Sequence, residues 1–398
     1  MNTQHVTLKG KLIAFFHQSS DLYGSDRILL DLVASVQEAG GEAVVLLPDT
    51  GPLTEELAAR NIEFHTLPIL KLSRARLSLG GLFNLAREML TVLPNYDHLF
   101  GSRRVDIVHS NTIAVLGGAL WAHRRRIPHL WHVHEIVEHP RIAAWALPRL
   151  VNAMADRVVC TSNATSQWLL NVQPSLAGKM QVIWNGVHMP SPCDASATTQ
   201  LHGRFRPAGA RLAVGLVGRI NRLKGHKLLM DAVDQLHDRG FHDFSLVFVG
   251  SAPPGQDIYL TQLEQRVARS PMRERIVTQG FTTNIWPAYA ALDIVCVPST
   301  EPESFGLVAA EAMAMGKPVI ASRLGALTEV VVDGLTGITF TPRDTDALAL
   351  ALERLLRDDT LRESMGLAGR ARVATELSVE RMTECFKSSY ADMMTQKE

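Results

Sequence analysis

The stretch from Leu292 to Gly316 constrains this chain more than any other. Leu292-Asp293-Ile294-Val295-Cys296-Val297 is a short apolar run rich in branched residues. Such a run reads as a strand buried on both faces of a parallel sheet. From about Phe305 to Met315 the composition turns to Ala, Met, Leu and Glu and stops at Gly316, as a helix does. Glu303 therefore falls at a strand-to-helix turn, and Glu311 lies inside the helix. In open parallel sheets the carboxyl ends of the strands face the ligand crevice. The first turn of the following helix offers unpaired backbone N–H groups there. Two carboxylates and a set of N–H donors thus face one crevice. That arrangement suits a ligand with hydroxyls at one place and negative charge at another, as in a sugar nucleotide.

Glu303 and Glu311 stand in a Glu-x7-Glu arrangement, flanked by Ser304-Phe305-Gly306-Leu307 and by Gly316-Lys317-Pro318-Val319-Ile320-Ala321-Ser322. The plain alternative for the pair is a surface Glu and a helix-start cap. With its flanks, the segment resembles retaining glycosyltransferases of family 4 (glycosyl transferases group 1). The resemblance is good from about Leu212 to Leu377 and looser before it. It implies an α/β chain with the GT-B fold: two Rossmann-like domains whose parallel sheets face a central cleft. Residues 1–190 would form an acceptor-binding domain and 191–210, rich in Pro, Ser, Ala and Gly, a linker. Residues 211–377 would bind the nucleotide sugar, and 378–398 would form a helix returning to the N-terminal domain.

The second half opens with the apolar run Leu212–Val217, followed by Gly218-Arg219-Ile220-Asn221-Arg222-Leu223-Lys224-Gly225. This matches the family's Gly-Arg-x4-Lys-Gly pattern. Gly218 lets the backbone approach a ligand. Arg219 can fork onto two phosphate oxygens, and Lys224 adds a point charge. An ordinary basic loop is the plain alternative. The Gly280-Phe281-Thr282-Thr283 loop resembles the segment that touches the nucleobase in the family, which makes Phe281 a donor-site residue. The resemblance also implies that Arg219, Lys224 and the amides of Ser304, Phe305, Gly306 and Leu307 stabilise the departing nucleoside diphosphate. Glu303 would hold the transferred sugar, and Glu311 the ribose hydroxyls.

In the first half, Lys11–Phe16 reads as a strand, a helix starts from about Asp26, and Ala43–Leu47 reads as the next strand. Such a unit makes a parallel sheet the default. Gly24 resembles the first-loop glycine of the family, where the backbone meets a phosphate or acceptor group; it also reads as a plain turn glycine. A strand from Leu130 brings His134 to its end. His134, with Glu135 beside it, matches the His-Asp or His-Glu pair that faces the donor sugar in the family. His132 shares its side of the strand. A structural histidine or a metal pair is the alternative, although no third ligand has convincing spacing. At His188 the chain departs from the family, whose Asn-Gly-Val is usually followed by Asp.

Lys plus Arg equals Asp plus Glu, 40 each, so no electrostatic case for nucleic acid follows. Four scattered cysteines without Cys-x-x-Cys argue for a reducing compartment and against a zinc knuckle, with Cys160 and Cys296 as core thiols. Leu12–Phe16 is too short for a signal-peptide core, and no run reaches membrane-spanning length. A cytoplasmic protein is expected, and the Asn163-Ala164-Thr165 sequon reads as chance. Two further signals are decoys. Asp344-Thr345-Asp346 spells a metal motif, yet it begins an Ala/Leu-rich helix, where acidic residues cap. No Gly-x-Gly-x-x-Gly follows the first strand, which counts against a dinucleotide-dependent dehydrogenase. The Lys71–Arg104 segment has apolar residues at helical spacing among Lys71, Arg74, Arg76, Arg87, Arg103 and Arg104. It can lie peripherally on an anionic membrane or pack on the core.

The resemblance implies a retaining hexosyltransferase, and Arg219 and Lys224 make it metal-independent. Its substrates would be a nucleoside-diphosphate sugar and a glycan or lipid-linked acceptor, with no cofactor. Its rivals are a sugar-nucleotide epimerase or hydrolase on the same fold, and a non-catalytic sugar-nucleotide-binding protein.

Overall fold

The computed structural model describes residues 6–72, 79–190 and 194–395, with backbone alone at 79–86 and 208. The chain divides into two compact units. The first is Met1–Gly186 with Val379–Glu398, and the second is Val187–Ser378.

The first unit holds β1 (Leu12–His17), β2 (Glu42–Leu47), β3 (Glu63–Thr66), β4 (Ile107–Asn111), β5 (His129–Val133), β6 (Arg157–Cys160) and β7 (Met180–Val182). They form one sheet in the order β3-β2-β1-β4-β5-β6-β7, and every neighbouring pair is parallel. Alternation along β1 shows how the sheet is covered. Leu12, Ala14 and Phe16 join a core with helices Leu79–Phe100, Gly117–Arg125 and Arg141–Met154. Ile13 and Phe15 join the opposite core with helices Gly24–Glu38 and Pro52–Ala59 and the terminal helix Val379–Thr395. With both faces dry, the strands carry apolar residues at nearly every position.

The second unit holds β8 (Leu212–Val217), β9 (Phe244–Val249), β10 (Ile276–Gln279), β11 (Ile294–Val297), β12 (Val319–Ser322) and β13 (Gly337–Phe340). Its order is β10-β9-β8-β11-β12-β13, again all parallel. Both units are thus Rossmann-like, with strand order reversing beside β1 and β8. The crevice at that reversal, outside the carboxyl ends of β1 and β4 or of β8 and β11, is where such sheets bind ligands.

Three local features add detail to the sequence pattern. The stretch expected as a linker carries a helix, Ala195–Arg204. Asp194 caps it by accepting from the Ser196 and Ala197 amides. Phe205 is fully buried, and Arg206 pairs with Asp293 at 2.6 Å, so this stretch is tied to the second unit. The first helix starts at Gly24, with Asp26 turned inward and 1% exposed. The helix after β11 starts at Leu307, because Gly306 takes φ 99° just before it. That left-handed backbone ends the turn and is open to glycine.

Other expectations hold. Asp344 caps helix Thr345–Arg357 through the Ala347 amide at 2.9 Å. Cys160 and Cys296 are buried free thiols, and Cys160 is pushed up to about 12 by burial. Arg74, Arg76 and Cys193 lie outside the described residues. No helix among the described residues is long and apolar enough to cross a membrane.

The terminal helix is anchored by Phe386 and Tyr390, both fully buried. The Tyr390 hydroxyl lies 2.8 Å from His109 Nδ1. Tyr390→Phe should lower stability by about 1–3 kcal/mol by leaving a buried nitrogen without a partner. Phe386→Ala should cost about 3–5 kcal/mol through the cavity it opens. Urea denaturation of each variant, followed by circular dichroism, checks the ranking.

Candidate active site

In the second unit the loops after β8 and β11 come together. Asn221 shapes the first loop, its side-chain oxygen accepting from the Leu223 and Lys224 amides at 2.9 and 3.2 Å. The Thr300 amide then bonds the Leu223 carbonyl at 2.8 Å, which ties the second loop to the first. Lys224 Nζ consequently reaches Glu303 Oε1 at 2.5 Å, and the Ser299 hydroxyl donates to the same oxygen at 2.5 Å. Both members of the pair are largely buried, with side chains 20% and 17% exposed. Burial alone would raise the Glu303 pKa. The Lys224 charge and hydrogen bond, the Ser299 hydroxyl and the Arg219 charge outweigh it and hold the carboxyl below its ordinary range. Glu303 is therefore an anion at neutral pH.

The backbone of Glu303 is pinned as firmly as its side chain. It forms a parallel bridge with Gly325, and its carbonyl accepts from the Ala326 amide at 2.9 Å. A Cβ on Gly325 would lie 2.5 Å from the Glu303 carbonyl oxygen, and φ there is +58°. Only glycine allows that approach.

Helix Leu307–Ala314 buries Ala309, Ala310, Ala312, Met313 and Ala314 and leaves Glu311 half-buried. The Tyr289 hydroxyl, from helix Trp286–Ala291, donates to Glu311 Oε2 at 2.8 Å. The Leu307 and Val308 amides, at the first turn, have no hydrogen-bond partner among the described residues. Gly218 directly follows β8 with φ 134°, Arg219 is exposed beside it, and Phe281 is 56% exposed after β10. Ser304 and the buried Phe305 lie in the turn before the helix rather than in it.

The first unit has a polar site of a different kind. His134 and Glu135 directly follow β5. His134 Nε2 lies 2.9 Å from Asn111 Oδ1 and 3.1 Å from His132 Nδ1. Asn111 Nδ2 in turn lies 2.9 Å from His17 Nδ1, and His17 Nε2 lies 2.5 Å from Asp26 Oδ1. Asp26 also accepts from the Ser19 hydroxyl at 2.8 Å and the Tyr23 amide at 2.7 Å, which folds the loop that ends at Gly24. Burial pushes the His134 pKa down to about 3. His109 and His132 are also held well below the ordinary histidine value, chiefly by burial. Glu135 moves the other way, up to about 7 by burial, although the Ile113 and His134 amides donate to it. Thr112 sits at φ 96°, a strained conformation for a β-branched residue. Its amide on the His132 carbonyl and its carbonyl on the Trp131 indole hold it there, each at 2.9 Å. Backbone strain of this kind clusters at functional sites.

Glu303, Lys224, Arg219 and Glu311 thus lie around the carboxyl ends of β8 and β11. His134 and Gly24 lie at the corresponding end of the first sheet. Sequence reasoning missed Ser299, Tyr289, Asn111, His17 and Asp26. His17, Asn111 and His132 were findable in part, because each ends or nearly ends a strand on the same alternating face. In the basic segment, Lys71 donates to the Gln18 carbonyl and Arg103 pairs with Glu63 at 2.7 Å, so both serve the fold. Among the described residues no group of three His, Cys, Asp or Glu is placed to hold a metal.

Residues 23–189 match the family model described as Glycosyltransferase Family 4, and residues 211–358 match Glycosyl transferases group 1. The chain belongs to glycosyltransferase family 4. This glycosyltransferase is 31% identical over 286 residues to a D-inositol 3-phosphate glycosyltransferase of Xylanimonas cellulosilytica, covering 67% of each chain. It is 26% identical over 390 residues to the sulfoquinovosyl transferase SQD2 of Arabidopsis thaliana, covering 91% of this chain and 70% of that one. Among solved structures, Anabaena HepE in complex with UDP and glucose superposes with a TM-score of 0.81 at 25% identity, covering 95% of this chain and 99% of that one.

The histidines carry a pH prediction. An unfolded histidine titrates near 6.5, whereas His129, His132, His109 and His134 stay neutral in the fold well below that. Below pH 6.5 the unfolded chain therefore binds protons that the folded chain does not. Each group removes about 1.4 kcal/mol of stability per pH unit until its folded pKa is reached. Glu135 opposes this between about 4.5 and 7, but it is one group against four. Melting temperature should fall steeply from pH 6.5 to 4.5, with net proton uptake on unfolding. Calorimetry across that window checks it, and a flat profile would refute it.

Proposed function

We propose that this glycosyltransferase moves a sugar from a UDP-sugar to a glycan or lipid-linked acceptor, with retention at the anomeric carbon and no need for a divalent metal. The observation that carries the reading is the Lys224–Glu303 pair with Arg219 beside it, at the carboxyl ends of β8 and β11. UDP as the nucleotude carrier is supported by the complexes of HepE with UDP and with UDP-glucose.

The difficult step in such a reaction is departure of the nucleoside diphosphate. Arg219, Lys224 and the Leu307 and Val308 amides supply positive potential for the charge that develops. Glu303, kept ionised, accepts hydrogen bonds from hydroxyls of the transferred sugar. Glu311, held in one rotamer by Tyr289, accepts from the ribose hydroxyls. Gly218 gives the backbone access to the phosphates, and Phe281 offers a face to the base. In the first unit, Gly24 would meet a phosphate or acceptor group and neutral His134 would contact the transferred sugar. A lipid-linked acceptor would bring the enzyme to a membrane surface. Arg87, Leu90 and Arg104 of the basic segment are exposed for that contact.

The direct test supplies labelled UDP-glucose with D-inositol 3-phosphate or a membrane extract as acceptor source. Transfer of label, an axial anomeric product by NMR and full activity in EDTA are expected. Altered donor or free sugar without glycoside would favour the epimerase or hydrolase. No reaction would favour a silent binding protein, and an EDTA block relieved by magnesium or manganese would remove the metal-independent mechanism.

The two glutamates should separate by assay. Glu311→Gln removes a charged acceptor present in ground and transition states alike. UDP affinity should fall about ten- to a hundredfold, since charged hydrogen bonds are worth about 1.5–3 kcal/mol. Glu303→Gln should mainly reduce kcat and leave UDP binding nearly unchanged. Calorimetric UDP titration alongside steady-state kinetics decides it, and the opposite pattern reverses the assignment.

A further inference from the structure

The parallel register places His17, Asn111 and His132 side by side on β1, β4 and β5, with His134 just beyond on the same face. All three strand residues are fully buried, so each hydrogen bond in the row has a donor and an acceptor that cannot be traded with water. The polarity of the row is set at one end. Asp26 accepts from His17 Nε2–H at 2.5 Å, and His17 Nδ1 is an acceptor because the Asn111 amide nitrogen, held by the Ser25 carbonyl, points at it. Asn111 thus turns its Nδ2 to His17, and the same Nδ2 donates to the Ser25 carbonyl at 3.3 Å. The Ser25 carbonyl, an acceptor only, would repel the reversed amide. Asn111 Oδ1 therefore faces His134 and can only accept, which requires the proton on His134 Nε2.

We propose that Asn111, oriented by Asp26 through His17, is a positioning residue that locks His134 in the Nε2–H tautomer and leaves Nδ1 as a hydrogen-bond acceptor for a sugar hydroxyl. This rests on the reading of His134 as a sugar contact. Nδ1 has no partner among the described residues, whereas Nε2 of His109 and of His132 are sealed in the core without one. His132 Nδ1, 3.1 Å from His134 Nε2, can share the same proton as a second acceptor and does not oppose the assignment. The groups around the row are His109 and Tyr390 at 2.8 Å on one side and the Asp26 carboxylate on the other. The lowered pKa of His134 keeps the ring neutral, so its tautomer matters. A flipped tautomer would turn the Nδ1 acceptor into a donor without changing the shape of the site.

The test uses the full-length protein labelled with 15N-histidine. Long-range nitrogen–proton NMR reads the tautomer, and His134→Gln assigns the signals. The wild type should show His134 as Nε2–H with bare Nδ1. Asp26→Asn keeps the shape but can present an N–H to His17 Nε2, which moves the His17 proton to Nδ1 and sets it against the Asn111 amide nitrogen that the Ser25 carbonyl holds. His134 should then lose its pure Nε2–H form and show an added Nδ1–H population. Steady-state UDP release from UDP-glucose should show kcat lower by about ten- to a hundredfold, with UDP affinity within about twofold. Asn111→Leu removes the link itself and should give a mixture of tautomers with a similar kcat loss. Should Asn111→Leu not fold, Asp26→Asn alone carries the test. A wild-type His134 in the Nδ1–H form, or an Nε2–H form unmoved by Asp26→Asn, overturns the relay. A reversed tautomer with unchanged kcat overturns the positioning role. Failure of the transferase reading is seen separately, as a wild type that releases no UDP while its tautomer is as stated.

Discussion

A parallel sheet delivers the carboxyl end of every strand to one edge, and each unit of this glycosyltransferase depends on that constraint. Interior strand positions are spent on apolar packing on both faces. Only the last residue or two of a strand, and the loop beyond it, can carry polar chemistry. Where strand order reverses, the helices leave in opposite directions and those ends stay uncovered. The Lys224–Glu303 pair and the His17–Asn111–His134 row both stand at such ends. They come from different sequences but answer the same geometric opportunity.

The two sites use it in electrically opposite ways. In the second unit, burial of Glu303 is offset by Lys224, Arg219 and Ser299, so a net positive region keeps one carboxylate ionised. A diphosphate leaving group needs that kind of potential. In the first unit, burial dominates. His134, His109 and His132 stay neutral, the Asp26 carboxylate is taken up by His17, Ser19 and the Tyr23 amide, and burial raises the Glu135 pKa. A neutral, directional hydrogen-bonding surface suits hydroxyls better than charge.

Rigidity at both sites is bought with backbone. Gly325 allows a chain approach that a side chain would block, and Thr112 is held in a strained conformation by two hydrogen bonds. Glu303 and Asn111 are each one contact from these features. The terminal helix contributes in the first unit, where Phe386 and Tyr390 close the face below the histidine row.

The sequence by itself determined the class of fold and the motif residues. Branched runs such as Ile294–Val297, alternating with Ala/Leu-rich segments, could form little other than parallel strands crossed by helices. The positions of Glu303 and Glu311, at a turn and in a helix beyond an apolar strand, were legible from local pattern, whereas Arg219 and Lys224 stood out through resemblance to the family's Gly-Arg-x4-Lys-Gly pattern. Short strands such as Glu63–Thr66 and Gly337–Phe340 were not legible, since four residues hold too little periodicity to outweigh their surroundings. The helix Ala195–Arg204 was hidden by a linker-like composition and is held by contacts with the second unit. Partners distant in the chain were decided only by tertiary structure. Tyr289 reaches Glu311 and Asp26 reaches His17 because packing brings separate elements together. Burial then sets the charge of each group, and neither distance nor dielectric is encoded in local spacing.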